Sequence, residues 1–397
     1  MRTTYLAVAA VSAVAAGAFA PAAIATPVDS GSGTTSVPIF SDSVQYPVGG
    51  LGPTIVSQTM ATGDFDRDGN LDLAATGVVD GVAILNGDGH GQLTRTAFYH
   101  TEIGTNSVVA ADLRGLGRLD LVVTNFFSVS VLFNDGHGRF TVDRTYATDP
   151  NPTVTQRTGG VPVGAAVADF DGDGHPDLAI NSLVPVPGGV GIMRNDGAGH
   201  FTGPAWYGVG LAKTVVQTGD IDNDGRPDLI TSDAAASGFW VQLNDGHGGF
   251  EAPRWNFIPL LAEDMKVADV DGDGNLDVVT ANAAAFSFSV QYGDGAGNFG
   301  PPQLTAGSFT PCALAIDDFD GDGITDIAVM QFVPSLAVIY RGNGHRGFEY
   351  TENHTIGLGG QGAITAQLDR TRQPSILSMS ALSQDVSVLH NNTPTAR

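Results

Sequence analysis

The sequence has very little cysteine or lysine. Its 397 residues include one cysteine, Cys312, so no disulfide bond can form within the chain. Lys213 and Lys266 are the only lysines, and 18 basic residues face 42 acidic ones, which gives a formal net charge of −24. Without a basic stripe to displace the counterions of a nucleic acid, a nucleic-acid partner is disfavoured.

Long hydrophobic runs are also missing beyond the N-terminus. Residues 1–25 combine Arg2, the apolar run Tyr5–Ala20 and the small-residue site Ala23-Ile24-Ala25, which is the pattern of a cleaved secretory signal. A membrane anchor is the alternative, but the run is short and rich in alanine, and no second span follows it. We therefore expect a secreted, extracellular protein with no membrane span, in which residues 26–36 form a flexible leader.

Signs of catalysis are few. The sequence lacks a Gly-x-Ser-x-Gly motif, and its glycine-rich runs read as hairpin turns without the following helix that a phosphate cradle needs. Cys312 lies in strand-like sequence, where we expect a buried small hydrophobe. Five acidic residues are expected in connections between strands, where they either line a channel mouth or lie in solvent: Asp80, Asp233, Glu263, Asp264 and Asp385.

Aspartate and glycine are abundant, and they form a repeated motif. Asp-x-Asp-x-Asp-Gly-x-x-Asp occurs five times, beginning at Asp64, Asp169, Asp220, Asp269 and Asp318. Carboxylates at alternate positions of a curling loop supply the oxygen ligands that Ca²⁺ prefers, and the glycine permits the left-handed turn that redirects the chain. The alternative, an ordinary Asp/Gly surface turn, needs only one or two aspartates. Four close carboxylates repel one another unless a cation neutralises them.

We therefore predict about five Ca²⁺ sites. Each site takes carboxylates from motif positions one, three, five and nine, and the backbone carbonyl of position seven. The candidate ligands are Asp64, Asp66, Asp68, Asn70 and Asp72; Asp169, Asp171, Asp173, His175 and Asp177; Asp220, Asp222, Asp224, Arg226 and Asp228; Asp269, Asp271, Asp273, Asn275 and Asp277; and Asp318, Asp320, Asp322, Ile324 and Asp326.

Two further copies of the motif have lost most of their carboxylates. The copy Asp112–Asp120 keeps the first and last carboxylates and carries Arg114 at a ligand position, and the copy Gln367–Ser375 keeps only Asp369. Neither is expected to hold Ca²⁺. Seven loops then recur every 48 to 57 residues, and the longest step contains the Pro/Thr-rich insertion Asp149–Gly160. A fixed period of this length indicates a repeat architecture.

Each unit predicts four antiparallel strands. A strand-like segment precedes the acidic loop, an aliphatic run follows it, and a third strand leads through an Asp-Gly turn into a fourth. Four strands per unit predict a blade, so the chain is expected to be an all-β, seven-bladed β-propeller over residues 37–392, followed by a tail at 393–397. The seventh unit lacks a fourth strand, and the stretch Ile39–Gly49 resembles one. We expect this N-terminal strand to complete blade seven and close the ring.

The repeats resemble FG-GAP/VCBS repeats, the family of the integrin α-subunit head propeller and of many secreted bacterial proteins. Phe299-Gly300 matches the Phe-Gly signature, whereas Phe140-Thr141 does not, so the VCBS form is the better match. The resemblance implies Ca²⁺ in loops between the first and second strands of blades. It also implies a binding or adhesion role toward an extracellular glycan or protein, as in related lectin-like propellers.

A binding module is the first functional prediction, and we expect a monomer. Variable loops on the face opposite the acidic loops are the expected ligand site: Phe126-Phe127, Ser182–Gly188, Phe286, Gln331–Pro334 and the Asp149–Gly160 insertion. Packing between blades is the alternative role for their apolar residues. The rival function is an extracellular carbohydrate-active enzyme, a polysaccharide lyase or glycoside hydrolase, with its site at the propeller mouth.

Overall fold

The computed structural model describes residues 38–48, 60–78, 80–148, 161–182, 189–208, 213–233, 237–258 and 262–395. Three predicted features lie outside these residues, namely the signal at 1–25, the leader at 26–36 and the insertion Asp149–Gly160. Of the predicted loop Ser182–Gly188, only Ser182 is described.

The described strands form seven four-stranded antiparallel sheets, which confirms the predicted seven-bladed β-propeller. The first, innermost strands are β2 (Met60–Gly63), β6 (Ser107–Ala111), β10 (Pro162–Ala168), β14 (Lys213–Gly219), β18 (Ala262–Ala268), β22 (Pro311–Asp317) and β26 (Gly360–Ala366). The second strands are β3 (Asp72–Val78), β7 (Asp120–Asn125), β11 (Asp177–Ser182), β15 (Asp228–Asp233), β19 (Asp277–Asn282), β23 (Asp326–Gln331) and β27 (Ser375–Ser380).

The outer half of each blade is a hairpin. The third strands are β4 (Gly81–Gly87), β8 (Ser128–Asn134), β12 (Val190–Met193), β16 (Gly238–Gln242), β20 (Ser287–Gln291), β24 (Leu336–Gly342) and β28 (Asp385–Leu389). The fourth strands are β5 (Leu93–His100), β9 (Phe140–Ala147), β13 (Ala205–Tyr207), β17 (Arg254–Phe257), β21 (Gln303–Ala306), β25 (Phe348–Thr355) and β1 (Val44–Pro47).

The N-terminal strand completes blade seven, as predicted. β1 pairs antiparallel with β28, with Val44 opposite Val388, so the sheet order of this blade is β1-β28-β27-β26. The first strands of successive blades contact one another around the whole ring, including β2 with β26. Closure removes the two exposed sheet edges that an open array would leave.

The hydrophobic core is divided into clusters between neighbouring blades. One cluster joins Phe65, Val82 and Ile84 of blade one to Leu121 and Phe140 of blade two, and Phe65 meets Phe140 edge to face at 5.5 Å. Phe65 is the second residue of an acidic loop. The equivalent residues of the other loops are also buried: Leu113, Phe170, Ile221, Val270, Phe319 and Leu368. Each loop is therefore anchored in the interface with the adjoining blade.

Helix is nearly absent from the described residues, where the single short 3₁₀ turn spans Ala283–Ala285. Within the same residues, no helix has the length and apolar character needed to cross a membrane.

Candidate metal centres

The five acidic loops lie at one end of the blades. Each connects the first strand to the second, so all seven such loops share one face of the ring with the turns between third and fourth strands. The glycine at position six has the predicted left-handed backbone, with φ of 86° at Gly69 and 87° at Gly225. A residue with a Cβ is strained at this φ, which explains the invariant glycine of the five repeats.

The aspartates of each loop converge. In four loops, carboxylate oxygens of positions one, three and nine lie within 4.8 Å of one another, and in blade five the converging positions are one, three and five. Ligands around a Ca²⁺ ion, each at 2.3–2.6 Å from it, have separations in this range. The five groups are Asp64, Asp66 and Asp72; Asp169, Asp171 and Asp177; Asp220, Asp222 and Asp228; Asp269, Asp271 and Asp273; and Asp318, Asp320 and Asp326.

Three of these loops contain a buried carboxylate oxygen that has no hydrogen-bond partner. Asp64 Oδ2 accepts the backbone N–H of Gly69 at 2.9 Å, while Asp64 Oδ1 is buried and unpaired. Asp222 Oδ1 in blade four, at motif position three, is also buried and unpaired. The third such oxygen, Asp320 Oδ2 in blade six, has the Arg341 guanidinium as an ion-pair partner. A buried carboxylate oxygen without a donor is costly, and a cation is the partner that an all-oxygen set favours. The residues present therefore fit a hard divalent cation.

The ninth aspartate also holds the backbone of its blade. Asp72 is fully buried, and its two oxygens accept the N–H groups of Phe65 at 2.9 Å and of Gly87 at 3.0 Å. Burial raises the pKa of this carboxyl to about 6, and it does the same to the pKa of Asp228, Asp277 and Asp326. These carboxylates tie the acidic loop to the end of the third strand, a role that the motif spacing does not predict.

Positions five and seven interact mainly with each other. Asp68 Oδ1 accepts the backbone N–H of Asn70 at 2.7 Å, and Asp173 and His175 form the same pair at 2.8 Å. Asp224 with Arg226, Asp273 with Asn275, and Asp322 with Ile324 repeat it. Of the five position-five aspartates, only Asp273 belongs to a converging group.

The two degenerate loops replace the missing acidic groups differently. In blade two, Arg114 Nε and Nη2 donate to the two oxygens of Asp120 at 2.9 and 2.6 Å, and the guanidinium stacks 4.1 Å from the Phe133 ring. The guanidinium thus supplies a positive charge within the loop.

In blade seven, the buried Ser375 hydroxyl accepts the Asn391 N–H at 3.5 Å, where other blades use the ninth aspartate. Thr395 N–H donates to Thr371 O at 3.1 Å, so the described part of the tail follows this loop.

A set of asparagines positions the loops from the neighbouring blade. Asn134 ends β8, and its side-chain amide donates to the carbonyl of Phe65 in the acidic loop of blade one at 2.8 Å. Asn195, Asn244 and Asn391 repeat this contact toward Leu113, Phe170 and Phe319. The sequence pattern Asn-Asp-Gly indicated only a hairpin turn there. For Asn134, Asn195 and Asn244, the signal that could have identified them is the repetition of asparagine directly before the Asp-Gly turn; Asn391 precedes Asn-Thr instead.

The expectation that five off-motif acids lie in connections is wrong for four of them. Asp233, Glu263, Asp264 and Asp385 belong to β15, β18, β18 and β28, and only Asp80 lies in a connection. Asp264 is fully buried, and its oxygens accept the N–H groups of Met265 and Leu314 at 2.8 and 2.9 Å. Asp233 and Asp385 are also buried, and Glu263 is half-buried. Their strands extend further toward the opposite face than the sequence pattern indicates.

The opposite face carries an exposed apolar arc over blades five to seven. Phe286 and Phe309 stack with ring centroids 5.4 Å apart, and Leu382 N–H donates to Leu358 O at 3.0 Å. Val333 lies between these pairs, next to Thr310. We call these five residues the apolar arc; their exposed fractions run from 40% at Phe286 to 62% at Leu358. The connections that carry them, residues 283–286, 307–310, 332–335, 356–359 and 381–384, contain no charged residue.

Other expected ligand-face residues pack inside the protein. Phe126 and Phe127 are half-buried and contact a small cluster with Val161 and Val163. Gln331 is buried within β23. Packing between blades is therefore the role of Phe126 and Phe127. Of the predicted face, Phe286 and Val333 are exposed and belong to the apolar arc. Cys312 is half-buried, its thiol donates to the carbonyl of Met330 at 3.3 Å, and desolvation raises its thiol pKa well above the ordinary value.

Comparison with known proteins supports the same assignment of fold. The family model for FG-GAP-like repeats matches residues 115–180 and 269–329, and no curated protein matches the chain. Among solved structures, BBS1N in complex with ARL6DN aligns with a TM-score of 0.64 at 10% identity, covering 90% of this chain and 99% of that one.

Two sugar-related propellers also align. An Agrocybe aegerita lectin that recognises non-reducing terminal N-acetylglucosamine has a TM-score of 0.53 at 20% identity, covering 75% of this chain and 80% of that one. The periplasmic gluconolactonase PpgL of Pseudomonas aeruginosa has a TM-score of 0.57 at 14% identity, covering 76% and 86%. At such identities the likeness shows the fold alone. The protein is thus a seven-bladed β-propeller in which residues 115–180 and 269–329 match FG-GAP-like repeats.

Proposed function

We propose that the protein is a secreted, Ca²⁺-stabilised propeller that binds an extracellular glycan or protein. The observation that carries the metal part is the convergence of three carboxylates in each of five loops, with buried oxygens left unpaired at Asp64 and Asp222. Carboxylates and backbone carbonyls are hard oxygen ligands, and their number and spacing favour Ca²⁺ over the smaller, strictly octahedral Mg²⁺. Secretion, proposed from residues 1–25, fits this role because extracellular modules bind Ca²⁺ at roughly 10⁻⁴–10⁻³ M.

The metal has a structural role in this proposal. The loops lie between blades, with the second residue of each buried against its neighbour, so an ion that fixes a loop also fixes a blade interface. Each occupied site adds RT ln(1 + [Ca²⁺]/Kd) to stability, which is about 1.4 kcal/mol at tenfold excess over Kd. Ca²⁺ thereby supplies the bracing that a chain with one cysteine cannot obtain from disulfides.

The apolar arc is the proposed ligand surface. Exposed apolar groups gathered on one face of a rigid scaffold favour recognition, and the absence of charge around them favours an uncharged part of the ligand. A lectin and a protein-binding propeller are among the similar folds, which is compatible with either ligand class.

Paired binding and cleavage assays test the proposal. The Ca²⁺-loaded protein is applied to a glycan array, and polysaccharides are incubated with it and assayed for new reducing or unsaturated ends. We expect retained ligand without cleavage, and loss of binding in Phe309→Ser/Leu358→Ser. Leu304→Ser, an exposed residue on the outer strand β21, serves as the control and should bind normally. Appearance of new chain ends, or unchanged binding by the double variant, would contradict the proposal.

A further inference from the structure

Arginine side chains enter several acidic loops, and they do so at two different depths. Arg226, Arg341 and Arg346 pair with aspartates at positions three or five, and their side chains are 44–49% exposed. Arg194 of blade three is 23% exposed and reaches Asp177, the fully buried ninth aspartate. In this respect it matches Arg114 of the degenerate loop, which is 15% exposed and pairs with the ninth aspartate Asp120.

The guanidinium of Arg194 is held on three sides. Its Nη1 donates to Asp177 Oδ2 at 2.6 Å, its Nη2 donates to Gly248 O in blade four at 2.6 Å, and its Nε lies 3.6 Å from Asp171 Oδ2. The backbone is also fixed, because Arg194 N–H and carbonyl both hydrogen bond with Thr202. An ion pair whose cation is fixed by several hydrogen bonds at a buried carboxylate is stronger than an exposed ion pair.

Asp177 differs from the ninth aspartates of the other loops in the hydrogen-bond donors that its oxygens already accept. Asp177 Oδ2 receives both the Phe170 N–H, at 3.2 Å, and Arg194 Nη1. In blade four, Asp228 Oδ2 receives the Ile221 N–H at 2.8 Å, and no guanidinium pairs with it among the described residues. The oxygen that closes the blade-three loop is thus already neutralised by a cation belonging to the chain.

We propose that Arg194 acts as the built-in cation of the blade-three loop, so that this loop binds Ca²⁺ more weakly than the other four acidic loops. A divalent ion among Asp169, Asp171 and Asp177 would lie within a few ångströms of the guanidinium, and like charges at that distance repel strongly. Arg341 and Arg346 are about half exposed and can turn into solvent when an ion binds, whereas Arg194 is held between Asp177 and the Gly248 carbonyl. Binding therefore requires Arg194 to leave. This inference rests on the proposed function, since it assumes that the other loops bind Ca²⁺.

The chain offers a matched control at the same repeat position. Arg341 in blade six directly precedes Gly342, as Arg194 precedes Asn195, and both following residues donate their N–H to a ninth aspartate. Arg341 pairs with Asp320 and is about half exposed, and Asp326 Oδ2 accepts only the Phe319 N–H among the described contacts. Arg341→Met therefore removes an arginine without freeing an oxygen of Asp326, the ninth aspartate of this loop.

Calorimetric Ca²⁺ titration of metal-free protein tests the proposal. We expect four sites of similar affinity in the wild type and a fifth at least about tenfold weaker. Arg194→Met should bring the fifth site into the tight class, and Arg341→Met should leave the pattern unchanged. Five equivalent sites in the wild type, or no gain in Arg194→Met, would overturn the inference, whereas a wild type that binds no Ca²⁺ refutes the proposed function instead.

A second substitution keeps the test informative if Arg194→Met is unstable without metal. Asp171→Ala should leave the four tight sites intact in the wild-type background and should abolish the extra site when combined with Arg194→Met. Loss of a tight site in Asp171→Ala alone would contradict the proposal. Thermal melts should also show Arg194→Met less stable than the wild type in chelator and recovering in Ca²⁺, because its buried Asp177 depends on an added cation.

Discussion

At the residue scale, the aspartates of one loop have different duties. Positions one and three place oxygens toward the centre of the loop, whereas position nine also holds two backbone N–H groups. The sequence predicted the ligand types, because alternate carboxylates and a glycine suffice to indicate a cation loop. It could not predict the second duty of Asp228, since its donors, Ile221 and Asn244, are set by the fold.

Two substitutions in blade four separate these duties. Asp228→Ala should lower the free energy of unfolding by about 3 kcal/mol even in chelator, because two backbone donors lose a charged acceptor. Asp222→Ala should be nearly neutral in chelator and should lose one bound Ca²⁺, because its Oδ1 has no other partner. Urea unfolding with and without Ca²⁺ measures both effects, and equal losses in chelator would show that the two aspartates share one role.

The buried ninth aspartates also predict a pH dependence for the metal-free protein. The folded-state pKa of Asp72, Asp228, Asp277 and Asp326 is raised to about 6, so their contribution favours folding below about pH 4 and is lost as the pH rises through 6. The melting temperature without metal should therefore fall between about pH 4 and pH 6, and Ca²⁺ should remove most of that fall. The Asp228→Asn variant should show a shallower slope; a slope identical to the wild type would contradict this assignment.

At the element scale, each acidic loop is held by its own blade and by the next blade. The period and the alternating segments predicted the four strands of every unit, because they depend on local sequence. The asparagine contacts between blades could not be predicted, since Asn195 and Leu113 are neighbours only once the ring has formed. The strand position of Asp264 was missed for a similar reason, because a charged residue inside a strand contradicts the expected apolar pattern.

In the degenerate loop of blade two, two substitutions should create an additional Ca²⁺ site. Arg114→Asp with Leu116→Asp restores carboxylates at positions three and five, while Asp112 and Asp120 are already in register, so one additional Ca²⁺ should bind. Arg114→Ala should leave the metal count unchanged and destabilise the protein by about 3 kcal/mol, because Asp120 loses its charged partner. Elemental analysis gives the counts, and an unchanged count in the double variant would refute the positional assignments.

At the scale of the whole molecule, the ring is closed by the N-terminal strand. Phe40 is fully buried and meets Phe319 at 5.2 Å, and Glu352 accepts the N–H groups of Ile39 and Phe40. Removing residues 37–48 together with the preceding segment should expose the edge of β28 and promote association or opening of the ring. Scattering and size-exclusion measurements should detect this, whereas removal of residues 1–36 alone should leave a compact monomer. A compact, monomeric product of the longer truncation would contradict the latch.

Stabilisation of the ring by Ca²⁺ is the central claim, and thermal unfolding tests it most directly. Seven interfaces between blades hold the ring together. Five of the loops at these interfaces contain carboxylates that repel one another without a cation. Melting curves are recorded for the wild type in chelator, then with excess Ca²⁺ and separately with excess Mg²⁺. We predict a large fall in melting temperature in chelator, full recovery in Ca²⁺ and poor recovery in Mg²⁺. A melting curve that does not respond to chelator would contradict the account.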